Sequence, residues 1–432
     1  MVKISFKVVA PTKRVRIGDG ILTLLMNRPL FATNPDHRVS LVYDYQTSGY
    51  RAEEASNFSK TAFNELRVSE PTPQAHIQFN YNINTGIVST NAYNNATITG
   101  VSGLAKITTS GINSSGIIQS KDFVYYFPGQ GNVIRFSAMF NSGQSGSKQL
   151  IGIGDELDGL FWGYSGAEFG VLRKRNDIEH WTLQSSFNRD KLDSTSQYNF
   201  NIDPTKANVY QITYQWLGFG IIDFSVEPSN SLGFKLAHRI EYPNNNNETS
   251  INTPHLPLCI YAENTTYTGK LNLASASMGG FLDGREIFIG LNNSASSSKT
   301  LAANSPINLL TIKSATTYQG QKNRIGSILT LTSSANDGTK PVKYDFYKNS
   351  TITGSSFINA DSQISAISYD TQGIVTSSGV RLFGYIEGKN LSNFTLIKEL
   401  AYKLNPGETI TCVAQSSAAS DVFLNLGWEE LF

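Results

Sequence analysis

The strongest candidate for a reactive site in this sequence is the acidic run Asp155-Glu156-Leu157-Asp158. Two carboxyl groups held about 5 Å apart can hydrolyse a glycosidic bond with retention of configuration. Residues i and i+2 of a strand point to the same face, so Glu156 and Asp158 on a strand would face one cleft. Gly154 and Gly159 flank the run, which favours the alternative of an acidic turn where one strand crosses to the next.

The run resembles part of a motif found in jelly-roll glycoside hydrolases of family 16, Glu-x-Asp-x-(x)-Glu. In that motif the first carboxylate attacks the sugar, the second orients it and the third donates a proton. Glu156 and Asp158 match the first two, whereas the third position holds Leu160 or Phe161. Glu168 could replace the missing acid only if the fold returned it to the same cleft. Departure of the leaving group is uncatalysed without a proton donor, so we predict no catalytic residue and keep a degenerate hydrolase as an alternative.

The same carboxylates, Asp155, Glu156 and Asp158, are candidate Ca²⁺ ligands, because loop carboxylates often bind Ca²⁺ in concanavalin-like sandwiches. The EF-hand spacing is absent, and a solvated loop is the simpler interpretation. The histidines lie far apart without ligand spacing, and the glycine-rich run 143–148 lacks the spacing of a phosphate-binding loop. We therefore expect no cofactor, with Ca²⁺ as the single candidate.

Three tyrosines in expected loops, Tyr93, Tyr198 and Tyr267, are candidate carbohydrate-binding residues. Exposed aromatic rings can stack on sugar rings, although tyrosine in β-proteins also packs across strands. These residues are the basis of an alternative function, a carbohydrate-binding module used for host attachment.

The composition excludes several classes of partner. Charged residues make up 16% of the 432 residues and the net charge is +1, so a nucleic-acid partner is not expected. No stretch reaches the roughly 18 apolar residues of a membrane span, and the start lacks a signal-peptide core. We therefore expect folding in a cytoplasm, with Cys259 and Cys412 as buried free thiols. The neutral surface, rich in amides and hydroxyl groups, is typical of extracellular and virion β-proteins.

Period-2 alternation of apolar residues predicts an all-β protein. The clearest series of strands runs from Asp122 to Glu227 and indicates an antiparallel jelly roll or β-sandwich. We predict an N-terminal arm at 1–85, a concanavalin-like jelly-roll sandwich at 86–290 and a second, smaller C-terminal β-sandwich at 291–432. A Ser/Asn stretch, Asn292 to Ser298, is expected at the last boundary, and a single helix is expected at Ser56 to Leu66.

Motifs rich in glycine and aromatic residues resemble a protein type encoded by tailed phages and large DNA viruses. The resemblance spans most of the chain from about residue 60, and its main segments are Tyr126 to Phe136, Gln149 to Gly154, Phe161 to Tyr164, Phe169 to Leu172, Asp203 to Tyr210 and Phe423 to Phe432.

The resemblance implies a virion component, made in the host cytoplasm: a head or tail fibre, an appendage or a minor capsid protein. Its N-terminal arm would dock on other virion proteins, and its copies would associate, as a homotrimer by expectation, since fibre-like proteins bury strand edges between copies. A host-surface glycan is a candidate partner. No functional residue carries over from this resemblance.

Overall fold

The computed structural model describes residues 71–195, 200–229, 233–284 and 290–432, together with the backbone of four strands between residues 14 and 54. Two compact units divide the chain, Met1–Glu70 and Pro71–Phe432. The predicted helix at Ser56 to Leu66 and the candidate residue Tyr198 lie outside the described residues. The described strands of the first unit form two antiparallel hairpins, β1 (Arg14–Ile17) with β2 (Gly20–Thr23) and β3 (Val39–Asp44) with β4 (Gly49–Glu54).

The central sandwich begins at residue 72. Its strands are β5 (Thr72–Gln78), β6 (Val88–Tyr93), β7 (Thr97–Val101), β8 (Leu104–Ser110), β9 (Ser114–Val124), β10 (Gly131–Ala138), β11 (Ser147–Gly154), β12 (Gly159–Ser165), β13 (Glu168–Arg175), β14 (Ile178–Leu183), β15 (Asn208–Tyr214), β16 (Ile222–Val226), β17 (Lys235–Ile240), β18 (Leu256–Asn264), β19 (Lys270–Ser275) and β20 (Ser277–Asp283). A short 3-10 helix spans Gln184–Ser186.

Two antiparallel sheets form this sandwich. One has the order β17-β16-β15-β10-β20-β5, the other has the order β14-β13-β12-β11-β18-β9-β6, and a smaller sheet has the order β19-β8-β7. The predicted antiparallel jelly-roll sandwich is therefore confirmed. Strand β5 lies within the range 1–85 that the sequence assigns to an arm, and it pairs with β20 of the six-stranded sheet.

Aromatic side chains fill the space between the two large sheets. Tyr210, Ile212 and Tyr214 alternate along β15 and are buried, as period-2 patterning requires. The ring of Trp162 lies 5.1 Å from that of Tyr210 and 5.9 Å from that of Phe224. Such tilted and edge-on contacts stabilise the core beyond the burial of apolar area alone.

The C-terminal sandwich uses the rest of the chain. Its strands are β21 (Leu291–Leu301), β22 (Ile307–Ser314), β23 (Thr317–Tyr318), β24 (Gln321–Lys322), β25 (Gly326–Asn336), β26 (Val342–Lys348), β27 (Thr351–Thr353), β28 (Ile358–Asn359), β29 (Ile367–Asp370), β30 (Ile374–Ser377), β31 (Val380–Glu387), β32 (Leu391–Leu396), β33 (Lys403–Leu404), β34 (Thr409–Ser416) and β35 (Ser420–Leu431). A 3-10 helix spans Lys398–Leu400.

Two sheets, with the orders β21-β35-β25-β32 and β28-β29-β22-β34-β26-β31, enclose a core around Trp428, Tyr344 and Phe346. The Ser/Asn stretch from Asn292 to Ser298, expected at a boundary, is a strand. It pairs with β35 along its whole length, because Ala295 faces the core while serines alternate outward. Across the part of the chain described here, the structure contains no helix long and apolar enough to span a membrane.

Candidate functional site

The acidic run lies in the turn between β11 and β12. The backbone N–H of Asp155 donates to the carbonyl oxygen of Asp158 at 2.8 Å. The N–H groups of Leu157 and Asp158 donate to Oδ1 of Asp155 at 2.9 and 3.1 Å. The run is therefore a turn stabilised by its first carboxylate, so the strand alternation that would aim Glu156 and Asp158 into one cleft does not occur.

A cation from the C-terminal sandwich binds this turn. The guanidinium of Arg324 donates from Nε to Oδ2 of Asp155 and from Nη2 to Oδ1, both at 2.9 Å. Arg324 is 4% exposed and Asp155 is 6% exposed, so the pair is shielded from water. A bidentate arginine–carboxylate pair fixes orientation as well as distance. This contact therefore fixes the orientation of Arg324 against the turn and is one of the contacts between the two sandwiches.

The other two carboxylates face the same segment of the C-terminal sandwich. Lys322 donates to both carboxylate oxygens of Glu156 at 2.7 Å and to Oδ2 of Asp155 at 3.2 Å. Oδ1 of Asp158 accepts backbone N–H groups of Asn176 and Asn252, and its Oδ2 lies 3.4 Å from Nη2 of Arg324. Each carboxylate of the turn thus has a cationic neighbour.

The electrostatics keep Asp155 ionised. Burial alone would raise the pKa of its carboxyl group, but the guanidinium of Arg324, backbone N–H groups of Asp158 and Leu157, and the ammonium of Lys322 lower it below its ordinary value. Five donor atoms contact this carboxylate: Nε and Nη2 of Arg324, Nζ of Lys322 and the backbone nitrogens of Leu157 and Asp158. They occupy the roughly four lone-pair positions of a carboxylate. Asp155 therefore has no acceptor position left for a metal ion.

An apolar cluster lies beside the ion pair. Tyr125, from the segment after β9, packs with Ile328 of β25 and Leu431 of β35. A side-chain carbon at Gly326 would lie 1.9 Å from the hydroxyl oxygen of Tyr125, so only glycine allows this approach. Burial lowers the pKa of the neighbouring His255 to about 4, which keeps its imidazole neutral near pH 7.

A second polar contact joins the sandwiches. Nζ of Lys403 donates to the carbonyl oxygen of Gln74 at 3.2 Å and lies 3.5 Å from Oδ2 of Asp122. Nδ2 of Asn405 donates to Oδ1 of Asp122 at 3.1 Å. Among the described residues, two polar contacts and the apolar cluster thus join the sandwiches.

The remaining hydrolase candidate lies away from this turn. Glu168 pairs with Ser165 at the far end of β12 from Gly159. A strand rises about 3.4 Å per residue, so Glu168 lies on the order of 20 Å from Asp158. The fold therefore does not return Glu168 to the acidic turn. In the described ranges, no group of three or more His, Cys, Asp or Glu side chains has an arrangement that could hold a metal ion.

Two of the candidate tyrosines lie at one end of the seven-stranded sheet. Tyr93 is the last residue of β6 and is 61% exposed. It pairs with Ser115 of β9, and Ser115 pairs with Glu263 near the end of β18, so Tyr93 lies at the same end of the sheet as the end of β18. Tyr267 follows β18 and is half-buried. Its N–H donates to the carbonyl oxygen of Gly146. The structure therefore leaves the ring of Tyr93 open to solvent and holds Tyr267 in a loop at the same end.

The two cysteines are free and buried, as predicted. Burial raises the pKa of the Cys259 thiol to about 12 and that of Cys412 well above its ordinary value. Both thiols are therefore protonated near neutral pH, and thiolate chemistry is disfavoured.

Sequence reasoning did not single out Glu387, at the end of β31. Its carboxylate is 4% exposed, and neither oxygen accepts a hydrogen bond of normal geometry from the described residues. Burial raises the pKa of this carboxyl group, and the hydroxyl groups of Ser334 and Tyr344 oppose part of that effect. Nothing in the local sequence marks the residue, because strand ends usually expose glutamate.

Glu387→Gln is expected to stabilise the protein at pH 7 by on the order of 1–2 kcal/mol, because it removes a buried charge. A carboxyl group whose pKa is raised on folding contributes stability below its unfolded pKa and loses it as pH rises through the folded pKa. The gain should therefore shrink as pH falls through the raised folded pKa, and it should be smallest below the ordinary pKa of about 4.5. Urea denaturation between pH 4 and 8 measures this, with exposed Glu399→Gln as control. Parallel profiles for Glu387→Gln and wild type would contradict it.

No protein family model and no curated protein matches this chain. Solved structures that are similar over about half of it include one from work on endo-acting O-glycanases of the human gut microbiota (12% identity, 49% of this chain and 99% of that chain, TM-score 0.34). Others are the carbohydrate recognition domain of Emp46p in its metal-free form (11%, 46% and 90%, TM-score 0.28) and a beta-1,3-glucanase from Mycobacterium marinum (12%, 50% and 96%, TM-score 0.29). Likeness at these TM-scores carries no conclusion about function.

Proposed function

We propose that this chain is a non-catalytic structural building block, and that the acidic turn joins its two sandwiches. The observation that carries this proposal is the buried bidentate pair between Asp155 and Arg324. A catalytic carboxylate needs access to substrate and a pKa matched to its proton transfer. Asp155 has neither, and Glu156 is paired with Lys322.

The setting proposed for this building block is a virus particle, on the strength of the sequence resemblance to virion proteins. Its N-terminal arm would contact other virion proteins and its copies would associate, with a homotrimer as the proposed state. The neutral surface, rich in amides and hydroxyl groups, suits such a role.

Incubation of the purified full chain with soluble β-glucans tests the absence of catalysis. We expect no release of reducing sugar above buffer, for the wild type and for Glu156→Gln alike. Release by the wild type that disappears in Glu156→Gln would overturn the proposal and identify an active hydrolase.

The second candidate function is carbohydrate binding, and the exposed ring of Tyr93 favours it. An exposed aromatic ring offers a stacking surface to a sugar ring. Binding to a glycan array that is lost in Tyr93→Ala, and retained in a variant of the exposed Tyr81 on the same sandwich, would support it. Equal signals from both variants would count against it.

A further inference from the structure

The outer face of the C-terminal sheet with the order β21-β35-β25-β32, in which β33 also pairs with β25, has a distinctive pattern of residues. Strand pairing aligns outward-facing residues in three rows across β32, β25, β35 and β21. The rows are Leu396-Leu331-Gly427-Ser294, Phe394-Ser333-Asn425-Ser296 and Ser392-Ala335-Phe423-Ser298.

None of these twelve residues is charged, although large apolar side chains among them are open to solvent. Phe394 is 62% exposed, Leu396 is 72% exposed and Phe423 is 47% exposed. Interface cores are depleted in charged residues and enriched in aromatic ones. Edge strands that stay unpaired usually carry lysine, proline or a bulge, and Leu391–Leu396 has neither lysine nor proline. This composition is typical of a surface that is buried in a protein–protein interface.

The arrangement of large and small residues on this face indicates which partner packs against it. The β32 half of the face carries Phe394 and Leu396, whereas the β21 half carries only serines at the matching positions. A two-fold axis parallel to the strands, between β25 and β35, would place the β32 half of one copy over the β21 half of another. Phe394 then meets Ser296 and Leu396 meets Ser294.

The inner strands match in the same way. In that arrangement Phe423 meets Ala335, while Leu331 packs over Gly427 within its own copy. The three most exposed large side chains of the face, Phe394, Leu396 and Phe423, thus lie over alanine or serine of the other copy. Such a self-complementary patch is what an isologous contact requires.

We infer that this face packs against the same face of a second copy of the chain. The contact goes beyond the proposed function, which requires self-association but names no surface for it, and it is independent of any three-fold contact elsewhere. Strand spacing of about 4.8 Å and a two-residue repeat of about 6.8 Å give a sheet area on the order of 400 Å² per copy. An interface of this size belongs to the weaker class, so association in the micromolar range is expected.

Sedimentation velocity of the full chain at concentrations up to about 100 µM, well above a micromolar Kd, tests the inference. The wild type should associate as concentration rises. Phe394→Lys should lose this association, because it places a charge in the apolar contact. Phe219→Lys, at an exposed phenylalanine of the central sandwich, should behave as wild type. The double variant Phe394→Lys/Ser296→Asp should regain association, since the two charges meet across the two-fold axis.

A wild type that stays monomeric throughout the range would overturn the inference. An association profile of Phe394→Lys identical to that of the wild type would overturn the choice of face while leaving self-association intact. If the double variant Phe394→Lys/Ser296→Asp associates no better than Phe394→Lys, the two-fold arrangement is overturned. The sedimentation experiment tests only the two-fold contact, and the β-glucan assay tests only the absence of catalysis. A negative result in one therefore does not affect the other.

Discussion

Arg324→Ala is expected to lower the free energy of unfolding by about 3–5 kcal/mol, the usual cost of removing one partner of a buried ion pair. The substitution leaves the carboxylates of Asp155 and Asp158 buried beside each other without the guanidinium that neutralises them. Chemical denaturation measures the effect.

The matched control is Lys322→Ala. Lys322 contacts the same turn, but its side chain is 36% exposed and its partner Glu156 is 62% exposed, so its loss should cost less than about 1 kcal/mol. If the two variants lower the free energy of unfolding by the same amount, burial of the Arg324 pair adds nothing to its contribution to stability.

The Arg324 pair also predicts a pH dependence. The pKa of Asp155 is lowered on folding, so its contribution to stability is present above its unfolded pKa and is lost as pH falls through the folded pKa. Wild type should therefore lose stability below about pH 4 more steeply than Arg324→Ala does.

Tyr125→Ala should have an effect of similar size, about 3–5 kcal/mol, because it empties the apolar cluster between the sandwiches. Tyr125 is 2% exposed and packs with Ile328 and Leu431. We also expect this variant to unfold in two transitions where the wild type unfolds in one, since the sandwiches lose a shared contact. Tyr93→Ala, at an exposed tyrosine of the same sandwich, is the control and should change stability little.

Gly326 provides an independent check on this cluster. Gly326→Ala should destabilise the wild type by about 1–3 kcal/mol through overpacking, because the added carbon collides with Tyr125. The same substitution should cost less in the Tyr125→Ala background. Equal costs in both backgrounds would contradict the contact.

Local patterns in the sequence predict much of this fold. Alternation of apolar residues marks strands such as Val39–Asp44 and Asn208–Tyr214, and the glycines beside Asp155 and Asp158 favour the observed turn. These features depend on residues close together in the chain, where spacing alone determines which side chains share a face.

Features that depend on distant partners could not be predicted in this way. Arg324 lies 169 residues from Asp155, and a single sequence contains no signal that pairs them. The Ser/Asn stretch from Asn292 to Ser298 has the composition of a linker, yet pairing with β35 makes it a strand. Tertiary context overrides local propensity in such segments.

A double-mutant cycle on Asp155 and Arg324 tests the central claim most directly, that the acidic turn is a structural junction between the sandwiches. The free energy of unfolding is measured for wild type, Asp155→Asn, Arg324→Met and the double variant. We expect a coupling energy of about 2–3 kcal/mol, at the upper end of values for residues in direct contact. A coupling energy near zero would contradict the claim, because each side chain would then stabilise the protein independently of the other.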